Sequence, residues 1–184
     1  MKRRALDAYY TPDDVALRCV DALAPLVARD ASICEPSVGG GAFVRALRGR
    51  GVGGAIHGVD VDPAAPGLAL CRGATVADFR RTYLDADWIV GNPPYREAEE
   101  HVQHALHLAR AGVGFLLRLG FLSGQGRYSR LWSGAAVPLH SVHVLAQRPS
   151  FTSGGTDASD YAFFVWVRET PYTPRLPVVR WIAP

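Results

Sequence analysis

The sequence predicts an α/β doubly wound fold, a mostly parallel sheet wrapped by helices on both faces. Three observations carry this. Short apolar runs alternate with amphipathic segments from one end of the chain to the other, the rhythm of strand–helix repeats. The run at 113–119 is apolar almost without interruption, as a parallel strand covered on both faces must be. Turns rich in glycine or proline follow two of the runs directly, at 35–41 and 92–95, the edge where such sheets hold ligands.

Taken in order, Thr11 caps a first helix with Pro12 at its first position and Asp13 and Asp14 in the first turn. Val15, Leu17, Val20, Leu23, Leu26 and Val27 supply its apolar faces. A strand at 31–34 breaks at the glycine turn, and a helix follows over 42–50. Strands at 55–61 and 74–78 come next, then a fourth at 88–91 that empties into Asn92-Pro93-Pro94-Tyr95. A helix over 97–110 buries Val102, Ala105, Leu106 and Leu108, and its His101, His104 and His107 read as a solvated face rather than metal ligands. Strands at 113–119, 141–146 and 161–167 complete the sheet. Segments 123–134 and 152–160 read as mobile surface loops. One domain spans 1–184, without repeats or linker.

An apolar fraction of 48% and a charged fraction of 20% exclude general disorder. The net charge of +3 permits a polyanionic partner without demanding one. Cys19, Cys34 and Cys71 are odd in number and lack C-x-x-C spacing, which points to structural thiols in a reducing cytoplasm and not to disulfides or zinc. No signal-peptide core follows Met1-Lys2-Arg3-Arg4, and no apolar run is long enough to span a bilayer. The expectation is a cytoplasmic protein without membrane contact or metal.

Asn92-Pro93-Pro94-Tyr95 is the most specific stretch. Two prolines fix φ and remove two N–H donors, so the backbone there offers acceptors; Asn92 adds an amide oxygen and Tyr95 a flat face. Acceptors beside a stacking ring suit a planar group bearing an –NH₂, such as adenine or cytosine. The glycine turn, Glu35-Pro36-Ser37-Val38-Gly39-Gly40-Gly41-Ala42-Phe43, is neither the G-x-G-x-x-G fingerprint nor a phosphate loop. Glu35 at its mouth would repel a pyrophosphate and suits a cationic ligand, such as the amino end of S-adenosylmethionine. Asp60, closing the second strand, is placed for ribose hydroxyls, and Asp78, closing the third, for an adenine amine. Asp62 reads as an exposed turn residue.

Tyr10-Thr11-Pro12, Glu35-Pro36-Ser37-x-Gly39-x-Gly41-x-Phe43, Asp60, Asp78 and Asn92-Pro93-Pro94-Tyr95, in that order, resemble the S-adenosylmethionine-dependent methyltransferases acting on adenine N6 in DNA. The motif order resembles that family's gamma arrangement. Leu117-Arg118-Leu119-x-Phe121-Leu122 and Arg148-Pro149-Ser150-Phe151-Thr152 resemble short phage-type members. The resemblance covers about 9–167. It implies a Rossmann-like class I methyltransferase fold, seven strands with one antiparallel near the C-terminus. It implies that Tyr10, Thr11, Pro12, Glu35, Ser37, Gly39, Gly41, Phe43, Asp60 and Asp78 line a cofactor pocket. Asn92 and the Pro93 carbonyl would receive the two amine hydrogens, within a catalytic Asn92, Pro93, Pro94 and Tyr95. Tyr95 and Phe151 would stack on an extruded base from opposite sides.

Family members that read long sites carry a separate recognition domain after the core, and only 168–184 remains here. Low or partner-supplied sequence specificity is therefore expected. Gln125-Gly126-Arg127-Tyr128-Ser129-Arg130-Leu131-Trp132 interleaves basic and aromatic residues, making Arg127 and Arg130 the substrate contacts, with Trp132 packed into the core as the plainer reading. The same chemistry on RNA adenine or guanine, on cytosine N4 or on protein glutamine stays open, as does an inactive nucleic-acid-binding module.

Overall fold

The computed structural model describes residues 10–133, 137–151, 158–168 and 176–183. Among these, eight strands form one sheet: β1 (Ile33–Glu35), β2 (Ile56–Asp60), β3 (Gly73–Val76), β4 (Ala86–Gly91), β5 (Ala109–Arg118), β6 (Leu139–Leu145), β7 (Tyr161–Val167) and β8 (Val178–Ile182). Their order across the sheet is β3-β2-β1-β4-β5-β7-β6-β8. β7 runs antiparallel to β5 and β6, and every other pairing is parallel. The order reverses direction at β1 and β4, so the carboxyl ends of those two strands flank the crevice where doubly wound folds bind ligands.

Both faces of the sheet are covered, which is why its central strands read as unbroken apolar runs. Trp88, Val90, Leu116, Phe163 and Val165 face helices α1 (Asp13–Leu23) and α2 (Ala42–Gly49). Ile89, Val113, Phe115, Leu117, Phe164 and Trp166 face α3 (Ala98–Leu108) on the other side. Val15, Ala16, Cys19, Val20 and Leu23 form the buried stripe of α1, at the spacing of one helix face. Phe43 of α2 stacks on Phe163 with centroids 6.2 Å apart. On the α3 side, Trp132 stacks on Trp166 at 6.0 Å, confirming the plainer expectation for Trp132.

Several sequence-based expectations need correction. The sheet has eight strands where seven were expected; the single antiparallel strand is as expected. β8 was missed because it is an edge strand whose Val178, Val179, Arg180 and Trp181 are all exposed, so neither alternation nor a buried run marks it. It pairs with β6, Arg18 Nη1 donates to the Ala183 carbonyl at 3.1 Å, and Trp181 remains 70% exposed. Helix α1 starts at Asp13 with Pro12 at its cap position and no side-chain capping bond, so Thr11 is not its cap. The histidines of α3 are not a solvated face. His101 is buried with Nδ1 2.9 Å from the Glu97 carbonyl, and both His101 and His104 pack on Phe79; only His107 is exposed. Residues 125–132 of the expected 123–134 loop form helical turns. Gly134, and positions 152–157 of the other expected loop, lie outside the described residues. Among the described residues no helix is long and apolar enough to cross a membrane, and none form a metal-binding cluster.

Candidate functional site

β1 ends at Glu35 and β4 ends at Gly91, and the register Cys34↔Ile89 sets these ends side by side. Gly91 is what lets them close. A methyl built on it would lie 3.2 Å from Glu35 Cγ and 3.3 Å from Pro36 Cδ, so any larger residue would push the glutamate and the glycine turn away from Asn92. The sequence reading treated Gly91 only as a strand end. Its position one residue before the Asn-Pro-Pro-Tyr turn was the available signal.

Asn92 is oriented from the N-terminal motif. Its Nδ2 donates to Thr11 Oγ1 at 3.0 Å, across 81 positions of chain. That bond leaves Oδ1 on the other side of the amide, buried and, among the described residues, with no hydrogen-bond partner. A buried acceptor left this way costs about 1–3 kcal/mol, so native structures retain few of them without a use. Pro93 is buried, while Asn92, Pro94, Tyr95, Gly39, Gly40 and Asp60 are each partly exposed. The rim of the corner is therefore partly open, while Asn92 Oδ1 itself is buried.

Among the described residues Glu35 carries another such unpartnered polar atom, as do the Trp132 and Trp166 indoles in the core. The glutamate is 2% exposed, and the atom is its Oε2. Burial pushes its carboxyl well above the ordinary range; the Val44 backbone N–H and Arg45 oppose the rise and Asp60 adds to it. A carboxyl held this way favours the neutral form until a cation arrives beside it. Asp60, at the end of β2, braces the glycine turn: its Oδ2 accepts from Gly39 N at 2.7 Å and its Oδ1 from Asp62 N at 2.9 Å. Asp62 itself is half-buried and accepts from Ala64 N, so it is not the exposed residue expected.

The glycines divide into two roles. Gly39 sits at φ 48°, and a methyl there would meet the Tyr10 ring at 3.0 Å, so the Tyr10 ring lies directly on the turn. Gly41, at φ 79°, is buried against Leu70 and Gly67; a methyl there would stand 2.6 Å from Leu70 Cδ1. Gly41 thus serves packing and does not face the crevice. Phe43 likewise is core, and Ser37 Oγ donates to the Pro36 carbonyl. Asp78 grips Arg80 through both oxygens, at 2.9 and 2.7 Å, and the hydrogen bonds from Arg80 hold its carboxyl down at about 2. It is firmly ionised, with part of its accepting capacity committed to its own loop.

Tyr95, Phe151 and Tyr161 form a compact aromatic group, with centroids 6.1 Å (Tyr95–Phe151), 5.3 Å (Tyr95–Tyr161) and 5.1 Å (Phe151–Tyr161) apart. The Tyr95 and Phe151 rings meet edge-on at 69°, not as parallel plates with a gap between them. A base can enter between them only if one ring turns. The Arg118 guanidinium lies over the Tyr95 ring at 5.2 Å. Arg127 and Arg130 are directed elsewhere. Arg127 Nη1 donates to the carbonyls of Gly120, Phe121 and Ser123, and Arg130 bonds Glu99 at 2.5 Å. Their expected place at the substrate is not where this structure puts them, because Glu99 and a carbonyl cluster compete for both. A cleft of about 290 Å³ lies at the opposite edge of the sheet, lined by Ser32, His57, Arg72, Leu84 and Asp85 among others. Its lining comes from the amino ends of β1, β2, β3 and β4, whereas Glu35 and Asn92 stand at the carboxyl ends of β1 and β4.

No family model matches the chain. Over 100 residues, 53% of the chain, it is 33% identical to the type II methyltransferase M.TthHB8I of Thermus thermophilus, and it spans only 23% of that relative's length. A structure from Listeria monocytogenes, assigned as a class I S-adenosylmethionine-dependent methyltransferase, superposes with a TM-score of 0.73 at 12% identity, over 94% of this chain and 65% of that one. A chain assigned as the modification subunit of a type I restriction enzyme from Vibrio vulnificus gives 0.67 at 16% identity, over 89% and 45%. At such identities the likeness establishes the fold: the Rossmann-like α/β fold of class I methyltransferases.

Proposed function

We propose that this chain transfers a methyl group from S-adenosylmethionine to the exocyclic N6 amine of adenine in DNA, with the gamma-type order of motifs and a partner for target choice. The observation that carries the reading is the Asn92 amide, turned by Thr11 so that a buried, unpartnered oxygen faces the carboxyl edge of the sheet. An aryl amine is a poor nucleophile because its lone pair is delocalised into the ring. Asn92 Oδ1 and the Pro93 carbonyl accept its two N–H bonds, favour a pyramidal nitrogen and stabilise the positive charge that grows there. Tyr95 holds the ring flat. The proton released from the methylated nitrogen passes to solvent, so no general base is needed.

The donor set fits the cofactor. Glu35, with its orphaned oxygen, would take a cationic amino group, and Asp60, at the end of β2, would accept from ribose hydroxyls with the lone pairs left after bonding Gly39 N and Asp62 N. Bound there, the cofactor supplies an electrophilic sulfonium methyl. The name of the Thermus relative and the restriction-modification neighbour support DNA as the substrate and a partner for target choice.

The test is incubation with labelled S-adenosylmethionine and a panel of single- and double-stranded DNA, RNA and protein, followed by nucleoside mass analysis. Label on adenine N6 in DNA is expected; label on protein alone would overturn the reading. Asn92→Ala should lower kcat by at least about 100-fold, the scale of losing one preorganised transition-state contact, while cofactor affinity by calorimetry changes little.

A further inference from the structure

We propose that Arg118 grips the backbone phosphate of the nucleotide whose base Tyr95 receives; this rests on the reading of the site above for the class of substrate. Arg118 is the last residue of β5, the strand beside β4, and the register Gly91↔Phe115 puts it three residues past the level of Gly91. Its side chain therefore projects beyond the same carboxyl edge as Asn92. Across the β5–β7 ladder it pairs with Tyr161, whose ring touches Tyr95. The guanidinium lies 5.2 Å from the centre of the Tyr95 ring, and the residue is exposed to solvent.

An arginine laid over an aromatic face is a preformed nucleotide clamp. The ring offers a π-face that any base can share, and the planar fork of N–H donors matches two phosphate oxygens. The guanidinium now rests on the ring surface a base would use. As the base arrives, the guanidinium moves off the ring and meets the phosphate attached to that same base. The two arginines that the sequence singled out, Arg127 and Arg130, are turned onto Glu99 on another part of the surface. In the sequence Arg118 sits within the apolar run at 113–119, and its relation to Tyr95 exists only after β4 and β5 pair.

The test is fluorescence anisotropy of a labelled single-stranded, adenine-containing oligonucleotide, from about 50 to about 300 mM salt, with wild type, Arg118→Gln and Arg118→Lys. Arg118→Gln should bind about tenfold more weakly at the lowest salt, and its log–log salt slope should flatten by about 0.7, the loss of one phosphate contact on a single strand. Arg118→Lys, which keeps the charge, should keep the slope. Cofactor affinity should be the same in all three proteins, which also shows that each is folded. Wild-type affinity and slope in Arg118→Gln would overturn the proposal, as would weaker binding with an unchanged slope, since that would place Arg118 with the ring and not with phosphate. A wild type that binds no strand overturns it too. Methyl transfer is scored separately: label on adenine with an unaffected Arg118→Gln sinks only Arg118, whereas label on protein glutamine sinks the substrate reading itself.

Discussion

Replacing Thr11 with valine keeps the shape of the side chain but removes the acceptor that Asn92 Nδ2 uses. The amide is then free to rotate, and its oxygen spends less time aimed at the crevice. Thr11→Val should lower kcat by roughly 10- to 100-fold, in line with the cost of a misplaced catalytic group, with a smaller change in cofactor affinity. Thr11→Ser should restore the rate. A loss confined to cofactor binding would mean that Thr11 serves the cofactor directly and leaves Asn92 alone. Glu35 gives a second prediction, with a sign. Its folded-state carboxyl is raised by burial, so above the unfolded value of about 4.3 the native chain holds a proton that the unfolded chain has released. The stabilisation is complete below that value and is lost as pH rises towards the folded one. Relative to Glu35→Gln, the wild type should therefore lose melting temperature as pH rises above that unfolded value, the buried histidines being common to both proteins; parallel profiles would contradict the assignment. At this scale the sequence singled out Asn92-Pro93-Pro94-Tyr95 as the candidate turn, and the structure sets it at the carboxyl end of β4. It could not reveal Thr11 as the partner of Asn92, a contact bridging most of the first half of the chain. Nor could it show Arg127 and Arg130 captured by Glu99, a competition that begins only when α3 and the 125–132 turns come together.

The glycine turn between β1 and α2 makes its close approaches within the chain. Its glycines suggested close approach to a ligand; at Gly39 the group that comes close is the Tyr10 ring. Gly41 instead lets the chain take a left-handed step into α2 while touching Gly67 and Leu70. Gly41→Ala meets both a positive φ and a 2.6 Å contact, and should destabilise the fold by at least about 2 kcal/mol in urea titration. A neutral result would show that the 66–70 turn can retreat at no cost. The central strands were legible because burial on both faces writes a continuous apolar run. The starts of α1 and β5 shifted by one to four residues, because a proline cap and a strand that leaves α3 without a loop carry no turn signal. His101 and His104 of α3 differ from the expected solvated face for a related reason: their spacing matches a polar face, and only the packing of Phe79 shows that they are turned inward.

At the scale of the whole molecule, the Asn92 corner and β8 lie far apart in the sheet. Four strands, β5, β7, β6 and β8, extend on one side of β4, and β8 is the last of them. Removing residues 176–184 should therefore lower the melting temperature by several degrees, as Ile182 and the Arg18–Ala183 bond are lost, yet leave cofactor affinity and kcat close to those of the whole chain. A collapse of activity in a folded truncation would place β8 within the working unit. The expected seven strands were right as far as β7, and the eighth escaped notice because an edge strand needs no inward-facing residues.

That edge also gives the protein a built-in optical reporter. Trp88 and Trp166 are sealed in the interior and Trp132 lies against Trp166, whereas Trp181 stands in water. Emission quenched by a water-borne agent such as acrylamide thus comes chiefly from a single indole at the sheet's rim, and anything that settles on that rim announces itself as a shielded, blue-shifted signal while the interior fluorophores stay silent.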